Sequence, residues 1–127
     1  MIIKANIIIE GSNGKILVKY GQTGLSLPSI EAVDGLTLRD HLTTVLVGLG
    51  ISDVVEDDIV LYNFDDQIVN DEHIIFVTFK ARTRAVSVPS ILNYKFMSLS
   101  ALKDVLNKFE YEQDSFVLRM FILNPYN

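Results

Sequence analysis

The sequence predicts a mixed α+β domain, a sheet with helices on its faces, and three stretches carry that prediction. HIIFVTFKA at residues 73–81 is β-branched and aromatic, the composition that strands favour. KILVKY at 15–20 returns from an Ile-rich run at 2–9 across Gly11-Ser12-Asn13-Gly14, where Asn13-Gly14 suits the positive φ of a hairpin turn. Between these lies a helix whose residues Leu38, Leu42, Val45, Leu46 and Leu49 form one apolar stripe at helical spacing.

The helix has both of its ends written into the sequence. Thr37 is a good N-cap, and Asp40 three residues on completes a capping-box-like pair. Gly50 suits the position just past the last turn, and Ile51 can fold back over it. Gly48 is costly inside a helix, so it either starts the helix end or leaves room for packing or a ligand.

The other elements follow in order. After KILVKY, Gly21-Gln22-Thr23-Gly24 breaks the strand, and Leu25-Ser26-Leu27 is a short extended piece ended by Pro28. Residues 52–57 form an acidic loop, 59–64 a strand and 65–71 a turn region before the strand at 73–81. Two strands joined by a short polar loop are expected to be antiparallel neighbours. Residues 83–92, with Pro89 and several serines, read as a loop, and 93–97 as a short strand. Ser98 can cap a helix to about Phe109, with Leu99, Leu102, Val105 and Leu106 at helical spacing. Asp114 can cap a last helix carrying Phe116, Val117, Met120, Phe121 and Leu123.

Composition narrows the functional classes. At 127 residues a single domain spanning 1–127 is expected, long enough to bury a core. Apolar residues make up 49% and charged residues 21%, a globular balance. With no cysteine there is no disulfide, thiolate nucleophile or Cys-based zinc site. The net charge of −5 argues against a nucleic-acid partner, which would call for surplus Lys and Arg. MIIKANIIIEG is interrupted by Lys4 and Asn6 and is too short and polar for a signal segment or membrane span. The expectation is a soluble cytoplasmic protein with neither membrane nor nucleic-acid partner.

Residues 27–51, LPSIEAVDGLTLRDHLTTVLVGLGI, resemble the Nudix box, the loop-helix-loop motif of the MutT-like Nudix hydrolases. ILVKYGQTGLSLP looks like that family's strand entering a Leu-Pro-Gly-Gly turn, and GLTLRDHL like its Gly-Glu-Thr-Leu helix start. EHIIFVTFKA and YKFMSLSALKDVL resemble its long strand and its strand-to-helix segment. The resemblance covers nearly the whole chain and implies an α/β/α sandwich, a mixed sheet flanked by helices. It also implies Mg²⁺ or Mn²⁺ as cofactor for pyrophosphate hydrolysis, held by the glutamates of G-x5-E-x7-R-E-U-x-E-E-x-G-U, where U is aliphatic.

Those positions are degenerate here. The leading glycine falls on Ile30, the first glutamate on Leu36, the arginine on Thr44 and its partner glutamate on Val45. The paired glutamates fall on Gly48 and Leu49, and residues 41–52 contain no carboxylate in any register. Hard divalent cations need anionic oxygen ligands, so neither a catalytic residue nor a metal ligand is expected in the box. Leu27, Pro28, Gly35, Thr37, Leu38, Leu42, Leu46 and Ile51 still match what the fold needs.

The remaining polar residues leave three readings open. The first is a domain without hydrolase activity that binds a nucleotide-like small molecule or a partner, needing no cofactor. Its ligand contacts are expected at Thr44, Gly48, Ser29 and Glu31, with Lys19 at the basic position that in the family faces substrate phosphate. The second is a hydrolase of nucleoside diphosphate-linked compounds whose metal site has moved to Glu31, Asp34, Asp40 or Asp71-Glu72. The third is a structural module that forms a homodimer through a sheet edge. His41 and His73 are read as structural.

Overall fold

The computed structural model describes residues 1–124, and its sheet is built around one doubly buried strand. That strand is β1 (Ile2–Glu10). Ile7 and Ile9 point to one face and Ile8 to the other, and all three are wholly buried. A strand covered on both faces reads as an unbroken apolar run rather than an alternation.

Beyond β1 come β2 (Ile16–Tyr20), β3 (Leu25–Ser26), β4 (Ser29–Glu31), β5 (Val60–Val69), β6 (Glu72–Arg82) and β7 (Tyr94–Met97). The order is β3-β2-β1-β6-β5, with β4 also paired to β1 and β7 to β2. β1 runs parallel to β6 and antiparallel to β2 and β4, so the sheet is mixed. β2 meets β1 only at Glu10, whereas β4 takes the same side of β1 from Lys4 to Asn6.

Helix α1 (Leu38–Gly48) packs Leu42 and Leu46 on the Ile7/Ile9 face. Helices α2 (Leu99–Val105) and α3 (Glu112–Leu123) cover the Ile8 face through Leu102, Val117, Leu118 and Phe121. The architecture is thus a mixed sheet flanked by helices, as the sequence predicts. The ends of α1 are also as expected. Thr37 Oγ1 accepts the Asp40 N–H at 3.0 Å, Gly50 has φ of 85°, and Ile51 folds back into the core.

Three local expectations are corrected. Residues 65–71 are not a turn region, because β5 continues to Val69 and pairs with β6 throughout. The turn is Asn70-Asp71 alone, with φ of 51° and 64°, the backbone of a tight two-residue hairpin. The helix after Ser98 stops as an α-helix at Val105 and continues as a 3₁₀ turn to Lys108. There the Leu25–Phe109 bridge and the Glu110 N–H bond to the Leu25 carbonyl (2.8 Å) draw the chain back to the sheet. The last helix begins at Glu112, so Asp114 lies inside its first turn instead of capping it.

Candidate functional site

The cross-strand register sets out the floor of a cleft on the α3 side of the sheet. Glu31, Lys4, Phe76 and Asp65 form one row across β4, β1, β6 and β5. Ser29, Asn6 and Thr78 form the next, because alternate residues of paired strands share a face. The first turn of α3 stands over these rows as a wall. Together they enclose a cavity of about 720 Å³.

Asp114 fixes the wall to the floor. Its Oδ1 accepts from Asn6 Nδ2 at 2.6 Å and its Oδ2 from the Leu27 N–H at 3.0 Å. Asn6 Oδ1 in turn accepts from Thr78 Oγ1 at 2.5 Å. All three side chains are buried. One carboxylate therefore ties α3, the central strands and the Leu-Pro turn into one hydrogen-bonded chain. Burial pushes the Asp114 carboxyl above the usual carboxylate range, and the bonds from Leu27 and Asn6 oppose that rise.

Gln113, beside it, is not satisfied. Its Oε1 accepts from Gln67 Nε2 at 3.3 Å, but its Nε2 is buried without a partner. A buried amide N–H left unpaired costs about 1–3 kcal/mol. Gln67 Nε2 also donates to Asp65 Oδ2 at 2.6 Å, which links the carboxamide pair to the floor.

The sequence-predicted contacts separate into two groups. Ser29 and Glu31 line this cleft, and Glu31 faces Lys4 at 3.9 Å. Lys19 lines a smaller adjoining hollow of about 270 Å³, which shares Ser29, Glu110 and Tyr111 with the cleft. Thr44 and Gly48 are exposed on α1 and line neither cavity. The Thr44 hydroxyl donates to the Asp40 carbonyl at 3.0 Å, and a Cβ added at Gly48 would meet nothing within 4 Å.

Sequence reasoning missed Asn6, Asp65, Gln113 and Asp114 as cleft residues. One signal was present, since Asn6 is a lone amide inside an Ile-rich strand. A buried amide there must find partners. His41 and His73 stand apart from the cleft. His41 Nδ1 is buried without a partner on α1, and His73 Nε2 pairs with Asp66 on β5.

The residues on α1 do not fit a divalent cation. At the four positions where a Nudix box carries its arginine and glutamates, Thr44, Val45, Gly48 and Leu49 offer one hydroxyl, already bonded to its own helix. Nearby, Asp40 and Glu56 share a hydrogen bond that, with their mutual repulsion, raises the Glu56 carboxyl. Among the described residues, no three Asp, Glu or His side chains converge as a metal site.

No family model and no curated protein matches the chain. Solved structures do. A MutT protein from Methanosarcina mazei Go1 superposes with a TM-score of 0.70 at 13% identity, covering 99% of this chain and 96% of that one. The dihydroneopterin triphosphate pyrophosphohydrolase of E. coli gives 0.71 at 10%, covering 96% and 95%. The C-terminal domain of mouse MUTYH, solved in complex with human PCNA, gives 0.69 at 11%, covering 95% and 87%. The chain therefore has the Nudix-like fold of the MutT proteins.

Proposed function

We propose that this Nudix-fold chain has lost metal-dependent pyrophosphate hydrolysis and binds a small molecule in the cleft between α3 and the sheet. The observation that carries the reading is α1. It packs its apolar stripe from Leu38 to Leu49 against the core and has its cap and glycine stop, yet presents Thr44 and Gly48 where anionic ligands would be needed. Without a bound cation nothing neutralises a diphosphate or lowers the pKa of an attacking water. The fold also occurs in a domain solved bound to a protein, the C-terminal domain of MUTYH with PCNA.

A hydrolase with a displaced metal site is the second reading, favoured by the E. coli pyrophosphohydrolase that shares the fold. It would have to recruit its carboxylates from the cleft rim or from Asp40, Glu56 and Asp57. One experiment separates the two. The chain is incubated with a panel of nucleoside di- and triphosphates, with and without Mg²⁺ or Mn²⁺, while phosphate release and melting temperature are followed. The first reading expects no metal-dependent release and no metal-dependent stabilisation. Metal-dependent turnover would overturn it.

A further inference from the structure

The charges around the cleft specify what kind of molecule it holds. Glu31, Asp65, Glu110 and Glu112 line it, and Lys4 is its one basic lining residue, facing Glu31. Asp114, hydrogen-bonded to Asn6 and Leu27 by neutral donors, can only add negative charge to these four. The start of α3, where Tyr111 supplies no side-chain cap, adds a further positive contribution. A helix N-terminus is equivalent to roughly +0.5 charge. Four carboxylates against Lys4 and that half charge leave the cleft at about −2.5, so phosphate or carboxylate is repelled. Lys19 lies in the adjoining hollow and does not line the cleft itself.

A second observation points to an occupant with a specific polar group. Gln113 is 7% exposed and lines the cleft, with its Nε2 unpartnered. A carbonyl oxygen would satisfy that donor. Ile74, Phe76 and Tyr111 give the same cavity apolar surface.

We infer that the cleft takes a flat, uncharged or cationic small molecule bearing a carboxamide-type carbonyl, and that it rejects phosphorylated and carboxylated ligands. This rests on the cleft being the ligand site proposed above, and it deepens that reading by naming the ligand class. The carbonyl meets Gln113, the flat body lies on Ile74 and Phe76, and a protonated amine faces the carboxylates of Glu110 and Glu112.

A matched probe series tests it. 3-(Aminomethyl)benzamide, 3-methylbenzamide and 3-carbamoylbenzoate share one carboxamide and carry charges of about +1, 0 and −1 at neutral pH. Each is titrated into the ¹⁵N-labelled full chain at low ionic strength, with amide shifts mapped onto the structure. The cation is expected to bind about tenfold more tightly than the anion, with the neutral probe between and the Gln113 side-chain amide shifted by all that bind. In the double variant Glu110→Gln/Glu112→Gln, the cation's advantage over the neutral probe shrinks about twofold, and the neutral probe keeps its affinity. Equal or tighter binding of 3-carbamoylbenzoate, or an unchanged preference in the double variant, overturns the charge rule and leaves the cleft as the site. If no probe shifts residues of the cleft, the cleft is not the ligand site and the inference falls with it. Metal-dependent nucleotide hydrolysis would instead overturn only the non-hydrolytic reading.

Discussion

On one face of the sheet, α1 buries Leu42, Leu46 and Leu49, and its two threonine hydroxyls bond back to their own helix. On the other face, the first turn of α3 buries a carboxylate against Asn6, itself bonded to Thr78, and a carboxamide against Gln67. The two faces differ in what they require of their residues. Apolar packing accepts several shapes if volume is kept, whereas a buried polar chain fails when any one member loses its partner. α1 thus contributes apolar packing, and the buried polar groups lie across the sheet.

That division can be broken at several points, beginning with the largest effect. Leu46→Ala removes a wholly buried side chain from the α1 face and is expected to cost about 3 kcal/mol by chemical denaturation. Asp114→Ala leaves the Leu27 N–H and Asn6 Nδ2 unpaired and is expected to cost about 2–3 kcal/mol. If Asp114→Ala were neutral, the hydrogen-bonded chain would not hold α3 to the sheet.

The pH dependence of stability sharpens the same contrast. Asp114 keeps its proton to higher pH in the folded chain than in the unfolded one, where a free aspartate titrates near 3.8. Between those two values the folded state binds more protons, so this group's contribution to stability falls as pH rises. Asp53 behaves oppositely. Bonds from the Arg84 N–H and Thr83 Oγ1 lower its pKa, so its contribution is present above 3.8 and lost as pH falls. Denaturant midpoints measured from about pH 3 to 7 are expected to lose a downward slope in Asp114→Asn and an upward slope in Asp53→Asn. The reverse pairing would refute both assignments.

Two smaller effects test α1 itself. Thr37→Ala removes the cap and is expected to cost about 1 kcal/mol. Gly48→Ala is expected to stabilise by about 0.5–1 kcal/mol, since the site is helical, exposed and open around the added Cβ. The same variant should leave the benzamide titrations unchanged. A loss of probe binding in Gly48→Ala would return the ligand site to α1.

How far the sequence could be read depended on the range of the interaction. Thr37, Gly50 and the stripe from Leu38 to Leu49 act within one helix, and all of them are legible. The Ile run of β1 and the composition of β6 are equally local. β5 was read too short because Asp65, Asp66 and Gln67 look like turn residues. Yet on an edge strand they keep their ladder with β6 while their side chains face outward or into the cleft. Asp114 looked like a cap because a carboxylate near a helix start usually is one. Its actual partner, Asn6, is 108 residues away in sequence, beyond the reach of any local pattern. Neither the parallel pairing of β1 with β6 nor the short β4 strand has a local signature.

The open edge of β5 has a further consequence, for solubility. Ten residues with exposed Leu61, Phe64 and Ile68 offer a long template to any unpaired strand. Asp65 and Asp66 sit near the middle of that template. Two copies meeting edge to edge about a twofold axis near these residues would bring like charges opposite one another, an arrangement that destabilises strand pairing. Repulsion between the acidic pairs would therefore oppose self-association along this edge and favour solubility.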